Sequence, residues 1–329
     1  MTGARLGRTG IRVSRLGLGG SGLGNLYTAV DDRTATETVD AAWTAGVRYF
    51  DTAPHYGLGL SEARLGAALA GRPRAEFVLS TKVGRLLEPN PNPRGSDLDD
   101  GGFAVPDTLR RRYDYSSDGV RRSLDASLRR LGLDRIDIAY VHDPEGHLDQ
   151  TIAEALPALV ELRDQGVLGA VGAGMNLVEP LRRIVRACDV DVVMIANRWT
   201  LLDRSAAPLL DDCAERGIGV AIAAPFNGGL LAQPWPKPDS PFEYAPAAPC
   251  LVERARRLAT AGRRVGVTLP RAAIQFPLLH PAVATVVVGA QGPEQMAQSA
   301  RWLRDRVPTR AWTPLLAQGD DTTGTAAMS

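Results

Sequence analysis

The sequence predicts an α/β protein whose eight parallel strands, joined by helices, close into a (β/α)8 barrel. Amphipathic stretches repeatedly end at a glycine, and a short run of apolar residues follows each one within a few positions. Such nearly continuous apolar runs are typical of strands buried on both faces. Because eight of these runs alternate with helices, a closed barrel is favoured over an open sheet. The candidate strands lie near residues 16–20, 48–52, 78–82, 136–142, 170–175, 192–197, 219–224 and 285–290.

The glycines mark the ends of the helices. A helix predicted over residues 118–131 carries apolar side chains every three or four positions and stops before Gly132. A glycine just after the last turn can take the left-handed conformation that closes a helix. Gly46, Gly166 and Gly217 hold the same position before other apolar runs.

Three segments do not belong to the predicted barrel wall. A short hairpin around residues 8–10 precedes the first strand, and we expect it to close the bottom of the barrel. Residues 85–116 and 226–248 are long and rich in proline, and each follows the C-terminal end of a strand. Barrel enzymes build their sites there, so both segments are assigned to the substrate mouth. We expect one domain over residues 1–316 and a flexible tail over 317–329.

Composition favours small-molecule chemistry. The formal net charge of +1 leaves no basic excess for a nucleic-acid backbone or an anionic membrane. Cys188, Cys213 and Cys250 are widely spaced, which predicts reduced thiols and packing roles, and no spacing typical of a zinc site is found. The N-terminus resembles neither a signal peptide nor an anchor. We therefore expect a cytoplasmic protein without a metal, nucleic-acid partner or membrane, and the sequence does not indicate its oligomeric state.

Polar residues at the predicted strand ends form a candidate acid–base group. Asp51, Lys82 and His142 end the second, third and fourth strands, and Tyr56 follows Asp51 closely. A lysine cation near a phenol stabilises the phenolate and lowers the pKa of the tyrosine. Asp51 would hold Lys82 charged, His142 would bond the substrate oxygen, and Tyr56 would exchange the proton.

Each of these residues also has a structural interpretation. Asp51 could cap the following turn, Lys82 could extend to the surface, and Tyr56 could be a packed loop aromatic. His142 alone could be a satisfied polar group, and it gains weight only from its neighbours. His55, His147 and His280 are interpreted as structural or surface residues, with His55 the one that could touch substrate. The aromatic residues of the long segments could line the substrate site or pack within their own loops. They are Phe103, Tyr113, Tyr115, Trp235, Phe242 and Tyr244.

Three segments resemble the successive signature regions of the aldo-keto reductase family. They are GVRYFDTAPHYGLGLSEARLGAAL, LSTK and LGLDRIDIAYVHDP, and the likeness extends over residues 5–305. The resemblance implies a (β/α)8 barrel, an extended nicotinamide cofactor and catalytic roles for Asp51, Tyr56, Lys82 and His142. Within the family, VHDPE, GAGMN and PFNGGLLA resemble bacterial dehydrogenases of D-threo-aldoses and L-fucose, with pyridoxal 4-dehydrogenase close by.

The same resemblance implies which residues contact the cofactor. They are Gly20, Ser21, Asn176, Pro225, Phe226, Asn227, Gly228, Leu230, Gly289, Gln291 and Gln295. The usual serine–asparagine pair on the fifth strand is altered here, and a customary glutamine and stacking tyrosine correspond to Ala196 and Ala223. Trp199 is one candidate to cover the nicotinamide ring in place of that tyrosine.

The segment after the eighth strand predicts a preference for NAD, with NADP possible. Residues 286–299 contain no cation that would bind a 2′-phosphate. Gln291 or Gln295 could instead bond a free ribose hydroxyl, although Arg301 could reach a phosphate from farther along.

The expected function is oxidation of an aldose at its anomeric carbon, to a lactone. Two alternatives stay open at this point: an NADPH-dependent aldehyde or ketone reductase, and a catalytically weak regulatory protein that senses nicotinamide.

Overall fold

The computed structural model describes residues 3–243 and 245–318. Within these residues, the backbone forms the alternating strands and helices that the sequence predicts. In chain order the strands are β1 (Gly3–Arg5), β2 (Arg12–Ser14), β3 (Leu16–Gly19), β4 (Tyr49–Asp51), β5 (Val78–Val83), β6 (Arg85–Pro89), β7 (Leu109–Tyr113), β8 (Ile138–His142), β9 (Ala170–Met175), β10 (Val192–Ala196), β11 (Gly219–Ala223), β12 (Pro241–Phe242), β13 (Ala245–Pro246) and β14 (Val283–Gly289).

Eight of the described strands close into a parallel barrel, in the order β3, β4, β5, β8, β9, β10, β11, β14 and back to β3. The predicted barrel is therefore confirmed, with every strand within one or two residues of its expected bounds. The apolar runs are buried on both faces, because one face lines the barrel and the other packs under the helices.

The helices surround this barrel, and four of them end just before the glycines that the sequence indicates, Gly46, Gly132, Gly166 and Gly217. They are α1 (Asp32–Thr44), α2 (Leu60–Leu69), α3 (Leu98–Gly101), α4 (Ser117–Leu131), α5 (Leu148–Gln150), α6 (Leu156–Asp164), α7 (Val178–Ala187), α8 (Ala207–Arg216), α9 (Pro249–Arg264), α10 (Leu269–Gln275), α11 (Pro293–Arg304) and α12 (Thr309–Leu316). α4 begins at the cap Ser116, whose hydroxyl accepts from the Gly119 amide. It ends at Gly132, whose φ of 63° is the left-handed conformation that glycine adopts without strain.

The bottom of the barrel is closed by the hairpin of β1 and β2, as expected. Leu6 and Val13 of this hairpin are buried and pack inside the lower barrel with residues such as Val192, at the start of β10. The amide of Arg8 also donates to the Gly217 carbonyl at 2.8 Å. Because apolar side chains fill this end, ligands can enter only from the opposite, C-terminal end.

The two long segments form hairpins that follow strand C-terminal ends, where the sequence placed them. β6 pairs with β7, and β12 pairs with β13, each in antiparallel fashion. Leu26, which follows β3, forms a β-bridge with Phe103 in the loop between β6 and β7. The first hairpin therefore contacts the neighbouring loop and forms a wall beside the mouth.

The end of the chain is described only in part. α12 reaches Leu316, and residues 317–318 complete its last turn. Residues 319–329 of the predicted tail lie outside the described residues, as does Tyr244. No helix among the described residues is long and apolar enough to cross a membrane.

The contact between α2 and α4 generates a stability prediction. A Cβ at Gly66 would overlap the carbonyl oxygen of Leu131, whereas a Cβ at Gly71 would meet nothing. Gly66→Ala should therefore cost about 1–3 kcal/mol of stability, because two backbones must separate. Urea unfolding should show a lower midpoint for this variant than for Gly71→Ala. Equal midpoints would contradict the close approach of the two helices.

Candidate active site

Four polar side chains converge at the C-terminal end of the barrel. Asp51 is the last residue of β4, Lys82 lies near the end of β5, and His142 is the last residue of β8. Tyr56 lies in the turn between β4 and α2. β4, β5 and β8 are neighbours in the barrel, so their ends bring these side chains together. We call Asp51, Tyr56, Lys82 and His142 the polar quartet.

A buried ion pair forms the base of the polar quartet. Lys82 Nζ donates to Asp51 Oδ2 at 2.6 Å and to the Thr52 carbonyl at 3.0 Å. The other Asp51 oxygen accepts from the Ser80 hydroxyl at 2.7 Å. Both charged side chains are almost completely buried, so each depends on the other and on these hydrogen bonds for the hydration it has lost. The surface interpretation of Lys82 is wrong.

The ammonium group of Lys82 lies against the phenol of Tyr56. Nζ is 4.6 Å from the centre of the Tyr56 ring. Burial raises the pKa of Tyr56 and Lys82 lowers it, but burial is the larger effect and the pKa lies above its ordinary value. Lys82 therefore lowers the pKa of Tyr56, as expected, but by less than burial raises it. Burial lowers the pKa of Lys82 itself, yet Asp51 and Tyr56 together raise it above its ordinary value.

His142 completes the polar quartet as a neutral imidazole. Its ring stands perpendicular to the Tyr56 ring, with 5.8 Å between the centroids. Burial, and then Arg85 and Lys82, hold the pKa of His142 well below 6.5. Nη1 of Arg85 lies 3.5 Å from Nδ1 of His142. Because a guanidinium can only donate, Nδ1 accepts, and the hydrogen resides on Nε2.

Neighbours of the polar quartet shape the site, and the sequence identified only some of them. His55 packs 5.6 Å from His142 and 5.3 Å from Phe103, and burial lowers the pKa of His55 to about 2. Arg85 binds the Asp143 carboxylate at 2.8 Å. The only sequence signal for Arg85 and Asp143 is their place directly after two strand ends, because the pairing joins residues far apart in the chain.

The aromatic residues of the long segments divide between packing and exposure. Phe103 and Tyr115 are buried, and Phe242 packs against a hydrophobic cluster outside the barrel. Tyr113 and Trp235 are exposed, but Trp235 lies beneath the guanidinium of Arg263 of α9.

Comparison with known proteins identifies the family. The model of the aldo/keto reductase family matches residues 15–313. This chain belongs to the aldo/keto reductase family.

Similar proteins match over almost their whole length. A D-threo-aldose 1-dehydrogenase from a Pseudomonas species is 49% identical, over 93% of this chain and 94% of its own. A pyridoxal 4-dehydrogenase from Microbacterium luteolum is 38% identical, with 95% and 96% covered. The holo form of an aldo-keto reductase from Bacillus halodurans is 26% identical, with a TM-score of 0.77 and 97% and 96% covered.

As an aldo/keto reductase, the protein is an oxidoreductase that works with a nicotinamide cofactor. Predicted cofactor residues from both ends of the chain meet at the mouth of its barrel. A Cβ at Gly289 would contact the Ser21 hydroxyl, and Gly20 binds the Asp51 carbonyl through its amide. The first loop and the end of β14 thus form adjacent walls.

The glutamines after β14 are engaged within the protein. Gln291 donates its side-chain amide to the Leu26 carbonyl at 2.8 Å, and its backbone amide donates to Gln295 Oε1 at 2.9 Å. Arg301 donates to Gln298. The residues of the predicted ribose pocket therefore hold the loops around it, and hydroxyl binding by Gln291 or Gln295 stays a prediction.

The side chains of the loop after β11 lie largely within the protein. Leu230 is fully buried, and Phe226 packs against Trp302, so both side chains serve the core. Contact of Pro225, Gly228 and these two residues with the cofactor, through their backbone, stays a prediction. Asn227 is also buried and donates to the Asn197 carbonyl at 3.3 Å.

Two buried amide oxygens test whether the aldo/keto reductase site suits its cofactor. Oδ1 of Asn197 and Oδ1 of Asn227 have no hydrogen-bond partner among the described residues. A nicotinamide carboxamide and ribose hydroxyls donate hydrogen bonds of the kind these oxygens lack, so the residues present fit the cofactor. The sequence missed Asn197, although it directly follows Ala196.

The remaining expectations for the cofactor side have mixed outcomes. Asn176 directly follows β9, where its carbonyl accepts from Arg198 at 3.0 Å, so it stays a candidate. Trp199 packs against Phe276 and His280 and donates to the Pro277 carbonyl, among helices outside the barrel. The idea that Trp199 covers the nicotinamide is therefore wrong. No group of three residues that could hold a metal occurs among residues 3–243 and 245–318.

The electrostatics of the polar quartet predict a pH profile. Burial lowers the pKa values of both imidazoles below 6.5, so both are neutral at that pH and above it, and kcat/KM should show no histidine step near pH 6.5. The raised pKa of Tyr56 means that alcohol oxidation should accelerate as pH increases through the alkaline range.

Lys82→Met should move the alkaline limb to higher pH, because the cation that lowers the pKa of Tyr56 is lost. The double variant Asp51→Asn with Lys82→Met avoids an unpaired buried carboxylate and serves as the comparison. His280→Gln, just before the N-terminal end of β14 and so at the opposite end of the barrel, is the control. A limb that stays in place in both variants would exclude Lys82 from control of the Tyr56 proton.

Proposed function

We propose that this aldo/keto reductase oxidises an aldose at its anomeric carbon to the lactone, with NAD as the preferred cofactor. The observation that carries the proposal is the buried Asp51–Lys82 pair beneath Tyr56, beside an uncharged His142. Relatives support the substrate class, since a D-threo-aldose 1-dehydrogenase is 49% identical over 93% of this chain.

Tyr56 is the proposed base. It takes the proton of the anomeric hydroxyl while the same carbon loses its hydrogen with both bonding electrons, which leaves a C=O bond. Bound NAD supplies the acceptor for that hydride. Lys82 stabilises the phenolate of Tyr56, and Asp51 keeps the ammonium group fixed and charged.

His142 is the proposed orienting group. Its neutral ring presents the Nε2 hydrogen, which donates to the substrate oxygen and aligns it with Tyr56. Because the imidazole does not titrate near neutrality, it cannot compete with Tyr56 for the proton. The acid–base role then falls on the phenol alone.

The preference for NAD is proposed from charge. Residues 286–299, which include the start of α11, contain no lysine or arginine, so a 2′-phosphate would lack a close cation. The 2′-hydroxyl of NAD is uncharged and does not require a nearby cation.

Removal of the Tyr56 hydroxyl tests the mechanism. Tyr56→Phe should lower kcat by a factor of about 10² or more, because the proton loses its acceptor, while NAD still binds. Steady-state rates with L-fucose and a fluorescence titration with NADH measure the two effects separately. Tyr27→Phe, which removes the hydroxyl of an exposed tyrosine in the loop after β3, is the matched control. Near-normal turnover by Tyr56→Phe would refute the assignment.

Cofactor choice is the second test. NADH should bind more tightly than NADPH in fluorescence titrations, because only NADPH carries a 2′-phosphate, which would lack a cation in the pocket. Gln291→Arg should reduce the difference between the two dissociation constants, because it supplies a cation for that phosphate. Tight NADPH binding with negligible NADH binding would favour a carbonyl reductase instead. If both cofactors bind but aldoses, pyridoxal and simple aldehydes all fail to react, the sensing role would be favoured.

A further inference from the structure

Beyond the polar quartet, one charged pair faces the mouth without a role in proton transfer. We propose that Arg85 and Asp143 form a subsite for the hydroxyl next to the anomeric carbon, so that they select aldoses carrying a 2-hydroxyl over 2-deoxy sugars and simple alcohols. This inference rests on the proposed aldose oxidation and names the substrate feature that the site reads.

The pair is directly joined to His142. Nη2 of Arg85 donates to Asp143 Oδ2 at 2.8 Å, and Nη1 lies 3.5 Å from His142 Nδ1. On the other side, His142 Nε2 lies 3.4 Å from the same Asp143 oxygen. A substrate oxygen that accepts from Nε2 must therefore lie beside the Asp143 carboxylate.

Exposure shows which part of this pair can meet a ligand. The side chain of Asp143 is 32% exposed, whereas those of Arg85 and His142 are 9% and 8% exposed. Asp143 Oδ1 accepts no hydrogen bond from the described residues, and Nε of Arg85 is buried without a partner among them. The pair thus retains an acceptor at an open face and an unused donor behind it.

The backbone holds the carboxylate in a fixed position. Asp143 has a φ of 41°, which is uncommon outside glycine and is strained unless neighbours enforce it. Its amide donates to the Gly174 carbonyl at 3.0 Å, and the Tyr115 hydroxyl donates to the carbonyls of His142 and Asp143 at 2.9 and 3.1 Å. Strain kept at the rim of a site indicates that the position of Asp143 matters.

An aromatic wall flanks the same pair. The His147 ring packs against both Tyr113 and Tyr115, with centroid distances of 6.0 and 5.0 Å, and the Tyr113 ring is half exposed. The guanidinium carbon of Arg85 lies 5.5 Å from the Tyr113 ring. An apolar ring face beside a carboxylate and a guanidinium suits a sugar, which has both C–H faces and hydroxyl edges.

The chemistry of the pair favours a neutral hydroxyl over an ion. A carboxylate ligand would meet the charge of Asp143, and an ammonium ligand would meet Arg85. A neutral hydroxyl meets neither conflict and can donate to Asp143 Oδ1. Vicinal sugar oxygens lie about one hydrogen-bond length apart, and the Asp143 carboxylate lies 3.4 Å from the His142 Nε2 that would hold the anomeric oxygen.

The test compares aldoses with their 2-deoxy forms. The probes are L-fucose, D-galactose and D-ribose, each compared with its 2-deoxy form. Values of kcat/KM are measured for the sugar that the wild-type protein oxidises fastest and for its 2-deoxy form. Asp143→Asn keeps the shape and suits the positive φ, but removes the charge. It should lower kcat/KM for the 2-hydroxy sugar about 10- to 100-fold, because a charge-assisted hydrogen bond is lost, and should leave the 2-deoxy sugar within about threefold.

Two further variants complete the design. Glu145→Gln removes an exposed carboxylate two residues away and should leave the ratio of the two sugars unchanged. Arg85→Gln with Asp143→Asn removes both charges without an unpaired buried guanidinium, and should abolish the preference even if the single variant folds poorly.

The outcomes separate this inference from the proposed function. An equal loss of kcat/KM for both sugars in Asp143→Asn would mean that Asp143 only positions His142. A wild-type protein that oxidises both sugars equally well would also overturn the inference. Neither result would contradict the proposed function. A wild type that oxidises none of the six sugars would instead refute the proposed function, and the inference with it.

Discussion

The burial of one ion pair is the constraint on which the rest of this site depends. Lys82 and Asp51 are both removed from water, so each must be compensated by the other, by the Ser80 hydroxyl and by the Thr52 carbonyl. That compensation requires β4 and β5 to keep their register, because Asp51 pairs with Ser80 across the two strands. In the proposed mechanism, a cation fixed in this way stabilises the phenolate of the buried Tyr56.

The barrel interior divides into two ends that support this constraint differently. Below the ion pair, the Tyr49 hydroxyl lies 3.0 Å from the Ser80 hydroxyl and 3.1 Å from that of Tyr140, in an otherwise apolar region closed by the N-terminal hairpin. Water is excluded from this side, so the hydrogen bond from Ser80 to Asp51 is not weakened by competition. Above the pair, loops supply the groups that face a ligand.

Local sequence patterns predicted what depends on local physics. Apolar runs placed the strands, Gly132 marked a helix end, and strand-end polarity identified Asp51, Lys82 and His142 as neighbours. The remaining features depend on contacts between distant segments. Nothing in the sequence indicates that Arg85 binds Asp143, that Trp199 turns toward Phe276, or that burial outweighs Lys82 in setting the pKa of Tyr56. Family resemblance assigned roles by position, but it did not show that Phe226 and Leu230 point into the core.

Burial and the positive charges around His142 leave the proton to Tyr56 in the proposed mechanism. Burial is the larger effect that disfavours an imidazolium, and Arg85, Lys82 and Arg111 add to it, so His55 and His142 are uncharged. A neutral histidine with its Nδ1 occupied by Arg85 has a single donor to offer, and that donor is fixed in direction. Arg85 therefore links two tasks, since the guanidinium that orients the imidazole also holds Asp143 at the open face. Substitution of Arg85 alone would therefore disturb both the orientation of His142 and the position of Asp143. Removal of the Asp143 charge leaves the contact between Arg85 and His142 in place, so it tests binding of the 2-hydroxyl separately.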